Sequence, residues 1–199
     1  MPIVVDKERK RAEILEAAMT VFARKGFHRS KMEEVALEAQ IGKGTIYEYF
    51  ESKHQLLQAL HGYMLAQLKE YYTEKLHGIE EPPRIIEGFL AAALASFRQW
   101  EPFFYVFCDV WAEAGRAEQQ SLLRMQLRDA YQSSIDDLTL VVEAGVAGGF
   151  FHCDQPRLAA EHILASVDGL ALHWLYDQSA FDLDEMTEAL TRSVMRSLG

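Results

Sequence analysis

Residues 29–57 read RSKMEEVALEAQIGKGTIYEYFESKHQLL. Ser30 followed three residues later by Glu33 is the pattern of a capping box, which opens a short helix with Met32, Val35, Ala36 and Ala39 on its inner side. Ile41-Gly42 breaks that helix. A third helix then runs through Lys43 to Phe50, with Ile46 and Phe50 four apart on one face. Lys43, Thr45, Tyr47 and Glu48 are left pointing outward. Ser52 followed by Gln55 makes a second capping box, which launches a long helix to about Leu76 or His77. Two short helices joined by a tight glycine turn form a helix-turn-helix arrangement. Ala36 is small where the two must cross, and Ile41 is apolar where the turn tucks into the core.

Upstream, Asp6 is positioned to cap a first helix whose inner face carries Ile14, Ala18, Val21 and Phe22. Gly26 ends it as a left-handed residue, with Phe27 touching Phe22 as in a Schellman stop. Downstream, Pro83 starts a helix to about Trp100, and Pro102 restarts the chain into an aromatic-rich segment ending near Gly115. A long helix is expected from about Ala117 to Ala147, ended by Gly148-Gly149. Pro156 begins another, to about Tyr176, and Asp182 with Glu185 caps the last. The chain is therefore expected to be all-α, with about nine helices and no strands. Residues 1–53 form the helix-turn-helix domain and residues 54–199 a helical remainder.

Composition agrees with a packed helical protein: 49% of residues are hydrophobic and 25% charged, which excludes disorder. The net charge of −10 is unevenly spread. Residues 1–54 carry a net of +1 and residues 55–199 a net of −11, so a polyanion would meet the N-terminal quarter. No apolar run reaches 18 residues, and the start MPIVVDKERKRAEIL lacks the apolar stretch of a signal peptide, so no membrane partner and a cytoplasmic location are expected. Cys108 and Cys153 belong to no CxxC and read as unpaired thiols. His152, Cys153 and Asp154 are consecutive, and sequence neighbours rarely converge on one ion, so no metal site is expected. No nucleophile elbow, phosphate loop, HExxH or dinucleotide fingerprint occurs, so neither an enzyme nor a cofactor is expected.

The stretch from Ala12 to about Leu57, and above all the run GKGTIYEYFESK, resembles the TetR family of regulators. The resemblance covers about a quarter of the chain. It implies a homodimer on a roughly palindromic double-stranded operator, each protomer placing its third helix in a major groove. Carried over position by position, Ser30 and Lys31 meet phosphate at the start of the second helix. Lys43 reaches guanine, the Thr45 methyl packs on a thymine methyl, and Gly44 lets the backbones approach. Tyr47 and Tyr49 resemble the aromatic pair that steadies the phosphate backbone, and Lys53 resembles the family's phosphate-contacting lysine. Gly42 departs from the pattern, standing where serine is common. Glu48 departs too, placing an acid on the reading face, where it accepts from cytosine or points aside.

The remainder is expected to sense a small apolar or amphipathic molecule and to dimerise. Residues 97–111 hold seven aromatics, more than one buried helical face requires. Core and dimer contact account for them, or they wall an apolar pocket of Met64, Phe89, Phe97, Phe104, Phe107, Trp111, Tyr131, Ile135 and His162. His162, Asp168 and His173 are expected to be semi-buried. The dimer seam is expected on Ala165, Gly169, Leu172, Tyr176, Leu190 and Val194. The alternatives are an activator with the same fold and a helical protein-binding adaptor without DNA binding.

Overall fold

A computed structural model describes residues 7–118 and 120–199; the cap expected at Asp6 lies outside them. Among these residues nine α-helices follow one another without a strand. They are α1 (Lys7–Lys25), α2 (Met32–Glu38), α3 (Lys43–Tyr49), α4 (Lys53–Lys75) and α5 (Pro82–Gln99). Then come α6 (Glu101–Arg116), α7 (Leu122–Ala147), α8 (Pro156–Tyr176) and α9 (Leu183–Ser197). The all-α reading holds.

The helices group into two units. One contains the chain up to Gln67 together with Pro102–Leu127, so α6 packs with the N-terminal helices. The other contains Leu68–Glu101 and Arg128–Gly199. In the first unit α1 packs on α2 and α2 on α3. Ile14, Val21 and Phe22 of α1, Val35 of α2, Ile46 of α3 and Leu56, Leu57 and Leu60 of α4 are all excluded from solvent. In the second unit α5 packs on α8 and α9. There Ile86, Leu90, Leu94 and Phe97 of α5 meet a core that includes Val142, Phe151, Ala160 and Leu198. The Phe151 ring lies against Gly145, where a Cβ would overlap its Cδ2.

The turns differ from the sequence reading in instructive ways. Gly26 takes φ +78° and its N–H bonds to Phe22 O at 2.7 Å, while the Phe22 and Phe27 rings meet edge-on at 5.5 Å. A Schellman stop would also send the Phe27 N–H back to Phe22; that N–H goes instead to Asp109 Oδ2 at 2.7 Å, a charged and better acceptor. The second helix is capped one residue later than expected. Lys31 is its N-cap, and Glu34, not Glu33, accepts from the Lys31 N–H at 3.0 Å. Lysine has no acceptor, so only this half of a capping box forms. Ser52 accepts from the Gln55 N–H at 3.1 Å as expected, but Gln55 Oε1 reaches back to the N–H of Glu51. The seventh helix begins at Leu122, not near Ala117, with Ser121 Oγ accepting from Arg124 N–H at 3.3 Å.

The turn between α2 and α3 is a true Schellman motif. Ile41 N–H bonds to Ala36 O at 2.9 Å and Gln40 N–H to Leu37 O at 3.1 Å. Its left-handed residue is Gln40, at φ +54°, not the neighbouring glycine. A side chain in that region costs about 1–2 kcal/mol relative to the right-handed form. Gln40→Gly is therefore expected to raise stability by about 0.5–1 kcal/mol, readable as an upward shift of the urea midpoint; an unchanged or lower midpoint would show that the Gln40 side chain compensates.

Candidate functional site

The second of the two short helices presents a solvent-facing surface. Ile46 is fully buried and Phe50 nearly so, which anchors α3 against the core. Lys43, Gly44, Tyr47 and Glu48 are exposed, and Thr45 and Tyr49 are half-buried. Lys43 Nζ pairs with Glu33 Oε1 of α2 at 2.8 Å. The hydrogen bond holds the Lys43 ammonium above, and the Glu33 carboxyl below, their ordinary ranges. Gly42, the N-cap, provides no side-chain acceptor, so the first N–H groups of α3 face outward uncapped. A Cβ built on Gly44 would meet nothing within 4 Å. Glycine in the first turn of a helix costs stability, and nothing inside the protein requires it here.

Two of the expected phosphate contacts sit differently. Ser30 is buried, and its hydroxyl donates to Gly26 O at 2.8 Å, tying the α1–α2 turn to itself. The Lys53 ammonium is folded under the same turn. It donates to Phe27 O at 2.6 Å, to His28 O at 3.0 Å and to Ser30 O at 2.9 Å, and stands 4.5 Å from the Phe27 ring centroid. All three of its protons are thereby used, and burial lowers its pKa. Lys31 is exposed as expected.

The α1–α2 turn is held from a second side by α6. Besides Asp109 on the Phe27 N–H, Glu113 lies 3.0 Å from His28 Nε2 and 3.5 Å from His54 Nε2. Neither acid was anticipated. Both sit in a segment whose aromatic content dominates its reading, and their partners are 82 residues away in the case of Asp109.

The aromatic side chains divide between the units. In the first, Phe103 and Phe107 of α6 stack at 5.9 Å, and Phe107 meets Trp111 at 5.2 Å and Phe104 meets Phe103 at 5.3 Å. Met64 is buried there, and so is His61, one turn before it on α4. The His61 ring lies 6.1 Å from that of Phe107. Neither of its ring nitrogens has a hydrogen-bond partner. Burial pushes its pKa down to about 4. The sequence carried a signal for it: Leu57, Leu60, His61 and Met64 are spaced as one buried helical stripe.

In the second unit Tyr72 and Phe89 rings pack at 5.3 Å, and Phe97 and Trp174 at 6.3 Å. The Tyr131 hydroxyl donates to Asp168 Oδ2 at 2.7 Å. Burial raises the Asp168 carboxyl, and the tyrosine only partly offsets this. Ile135 is half-buried. His162 and His173 are exposed, against the expectation that both are semi-buried: each falls on the outer side of α8, whose inner side is Ala160, Ile163, Val167, Ala171 and Trp174. A shallow groove of about 470 Å³ lies between α8 and α9, with Ala165, Gly169, Met186 and Leu190 on its walls. Leu172 and Tyr176 are exposed on α8. Val194, expected on the same seam, is buried within its own unit.

Residues 14–60 match the family described as bacterial regulatory proteins, tetR family, and residues 85–199 match the C-terminal domain of the BetI-type transcriptional repressor. A fatty acid metabolism regulator protein of Bacillus subtilis is 23% identical over 96% of this chain and 95% of its own length. The transcriptional repressor BepR of Brucella suis is 27% identical over 94% of this chain and 91% of its own length. Among solved structures, a putative regulator from Saccharomonospora viridis in complex with choline superposes with a TM-score of 0.85 at 22% identity, covering 94% of this chain and 96% of that one. FadR from Bacillus subtilis, in complex with stearoyl-CoA, gives 0.80 at 19% identity, covering 94% and 99%. At those identities the two structures establish the shared fold. No described helix is long and apolar enough to cross a membrane.

Proposed function

The chain belongs to the TetR family of bacterial transcription regulators, and from that premise we propose that it represses transcription as a homodimer on a palindromic operator and leaves it when a small apolar or amphipathic molecule binds the C-terminal domain. In this reading residues 1–53 bind DNA and residues 54–199 sense and dimerise. The single observation that carries the DNA-binding part is Gly44. It is a stability cost with no internal reason, placed on the exposed first turn of the second helix of a helix-turn-helix. A close approach of the DNA backbone is such a reason.

Lys43 and Thr45 read base edges, Lys31, Tyr47 and Tyr49 meet the phosphates, and Glu48 takes cytosine or tunes non-specific affinity. The Lys43–Glu33 ion pair keeps the lysine extended over α2 until DNA replaces the carboxylate. Ser30 and Lys53 support this surface by fixing the turn beneath it. The α8–α9 groove, walled by Ala165, Gly169 and Leu190, and the exposed Leu172 and Tyr176 of α8 provide small and apolar residues to a second protomer.

The test is binding to DNA flanking the gene across a salt series. Gly44→Ala is expected to raise thermal stability, by about 0.5–1 kcal/mol, while weakening binding at least tenfold. The Lys43→Ala, Tyr47→Ala double variant is expected to lose sequence preference and to flatten the salt slope by at most about one, since Lys43 is the only cation removed. If Gly44→Ala is stabilised and binds operator as tightly as the parent, the close-approach role is wrong. If parent and double variant bind every DNA equally, the regulator reading is wrong.

A further inference from the structure

His61 is the most anomalous polar group in the described chain. It is wholly buried, and neither ring nitrogen finds a donor or acceptor. Buried polar groups are overwhelmingly satisfied, and one left alone costs about 1–3 kcal/mol. A leucine in its place would remove that cost. The cost persists at a position facing the Phe107 ring of α6 at 6.1 Å, with Met64 one turn further along α4, and Phe107 in turn packs on Phe103 and Trp111. Burial alone accounts for the depressed basicity of the ring; no neighbouring charge contributes. At neutral pH the ring is therefore an uncharged group with one N–H to donate and one lone pair to accept.

That combination selects its ligand chemistry. An ammonium would find no counter-charge at the ring, and a carboxylate would meet a histidine that resists protonation. A hydroxyl suits it, since it donates to the bare nitrogen or accepts from the N–H and remains neutral when buried. The rest of the ligand must be apolar to lie among Phe103, Phe104, Phe107 and Trp111. Resting on the effector-sensing reading above, we propose that His61 is the hydrogen-bonding anchor of an effector site between α4 and α6, and that the effector is an uncharged apolar molecule bearing a hydroxyl, an alcohol or a phenol. Phe104, Phe107 and Trp111 are half-buried and lie on one side of α6, so they are the side chains that turn aside to admit it. The same helix carries Asp109 and Glu113, which hold the α1–α2 turn of the DNA-binding helices. Occupation of the site thus acts on a helix that already touches the DNA-binding part.

The probes are 4-ethylphenol, its hydroxyl-free counterpart ethylbenzene, and choline, added to the full-length protein with histidine labelled with nitrogen-15. Dissociation constants are measured for the parent, His61→Leu and His61→Gln. The expected result is that 4-ethylphenol moves the His61 ring nitrogen resonances and binds His61→Leu at least tenfold more weakly than the parent. His61→Gln, which keeps a donor and an acceptor, recovers part of the loss, and ethylbenzene binds parent and His61→Leu alike. The proposal is overturned if 4-ethylphenol binds parent and His61→Leu equally, or leaves the ring resonances unmoved at millimolar concentration. It is also overturned if choline, and not the phenol, binds, or if the ring is already hydrogen-bonded to water without any probe. Operator binding by the probe-free protein is measured in parallel. Its loss would count against the regulator reading, whereas intact operator binding beside a silent His61 would count against this site alone.

Discussion

Lys53→Met is expected to destabilise the protein by about 2–3 kcal/mol and to abolish tight operator binding at low salt as well as high. The three carbonyls of Phe27, His28 and Ser30 that its ammonium now joins would lose a charged donor, and bonds to charged groups are worth about 1.5–3 kcal/mol each before their partial exposure is discounted. Methionine keeps the length and apolar stem over the Phe27 ring, so the change isolates the donor. The competing role, a surface lysine meeting phosphate, predicts a different outcome. Such a residue costs under about 0.5 kcal/mol when removed and lowers the salt slope by about one. Urea unfolding and a salt series on one preparation separate the two. A stable Lys53→Met protein whose salt slope falls by one would show that the ammonium leaves the turn for DNA. Asp109→Ala provides the matched control from α6, because it strips the acceptor from the Phe27 N–H and leaves that part-buried group unpaired.

How much of this was legible beforehand depends on the range of the interaction. The helices could be read because their signals are local. The Asp182 cap, which accepts from the Asp184 and Glu185 N–H groups, and the Gly26 stop each involve residues within a few positions. The outward placing of Lys43, Tyr47 and Glu48 on α3 followed from the spacing of Ile46 and Phe50, whereas Thr45, expected with them, is half-buried. In two places a longer-range partner displaced the local one. Phe27 N–H left the Schellman pattern for Asp109, and Lys53 left the solvent for three carbonyls 23 to 26 residues earlier. Ser30 reads as a cap by type, yet its hydroxyl is spent on Gly26 O because the turn is tight enough to bury it. The sensing residues were harder. Aromatic density marks a packed region but does not say which of its polar neighbours lacks a partner. His61 lies at a stripe position between Leu57 and Met64, a signal that the aromatic density of residues 97–111 overshadows. What makes it matter, two unpaired nitrogens, depends on what α6 brings against it.

The same burial makes a prediction about acid stability. In the unfolded chain His61 titrates near 6.5, whereas in the folded protein its pKa is about 4. Above pH 6.5 both forms are neutral, and the residue makes no contribution to the pH dependence. As pH falls below 6.5 the unfolded chain takes up a proton that the folded protein refuses, so stability is lost, and the loss levels off near pH 4 once the folded ring also protonates. At 1.36 kcal/mol per pKa unit the full loss is about 3 kcal/mol, of which about 2 kcal/mol has gone by pH 5. Asp168 works in the opposite sense: its raised carboxyl takes up a proton in the folded protein before it does in the unfolded chain, so stability is gained as pH falls toward 3.8, in parent and His61 variant alike. The lowered, solvent-exposed acids Glu33, Glu34 and Asp136 shed their contribution only as pH falls below their unfolded values of about 4. Over the interval from pH 6.5 to 5 the difference between parent and His61→Leu therefore isolates His61. Parent and His61→Leu, unfolded by urea at steps across it, should diverge by about 2 kcal/mol at pH 5, with the parent losing and the variant holding. Parallel curves would mean that the folded ring accepts a proton as easily as the unfolded one, which requires a buried acceptor or water at its nitrogens. That result would remove the unpaired histidine on which the effector anchor stands. Divergence, by contrast, would leave a neutral and unsatisfied imidazole at the centre of the α4–α6 cluster, held at a cost in stability that a hydroxyl-bearing ligand relieves.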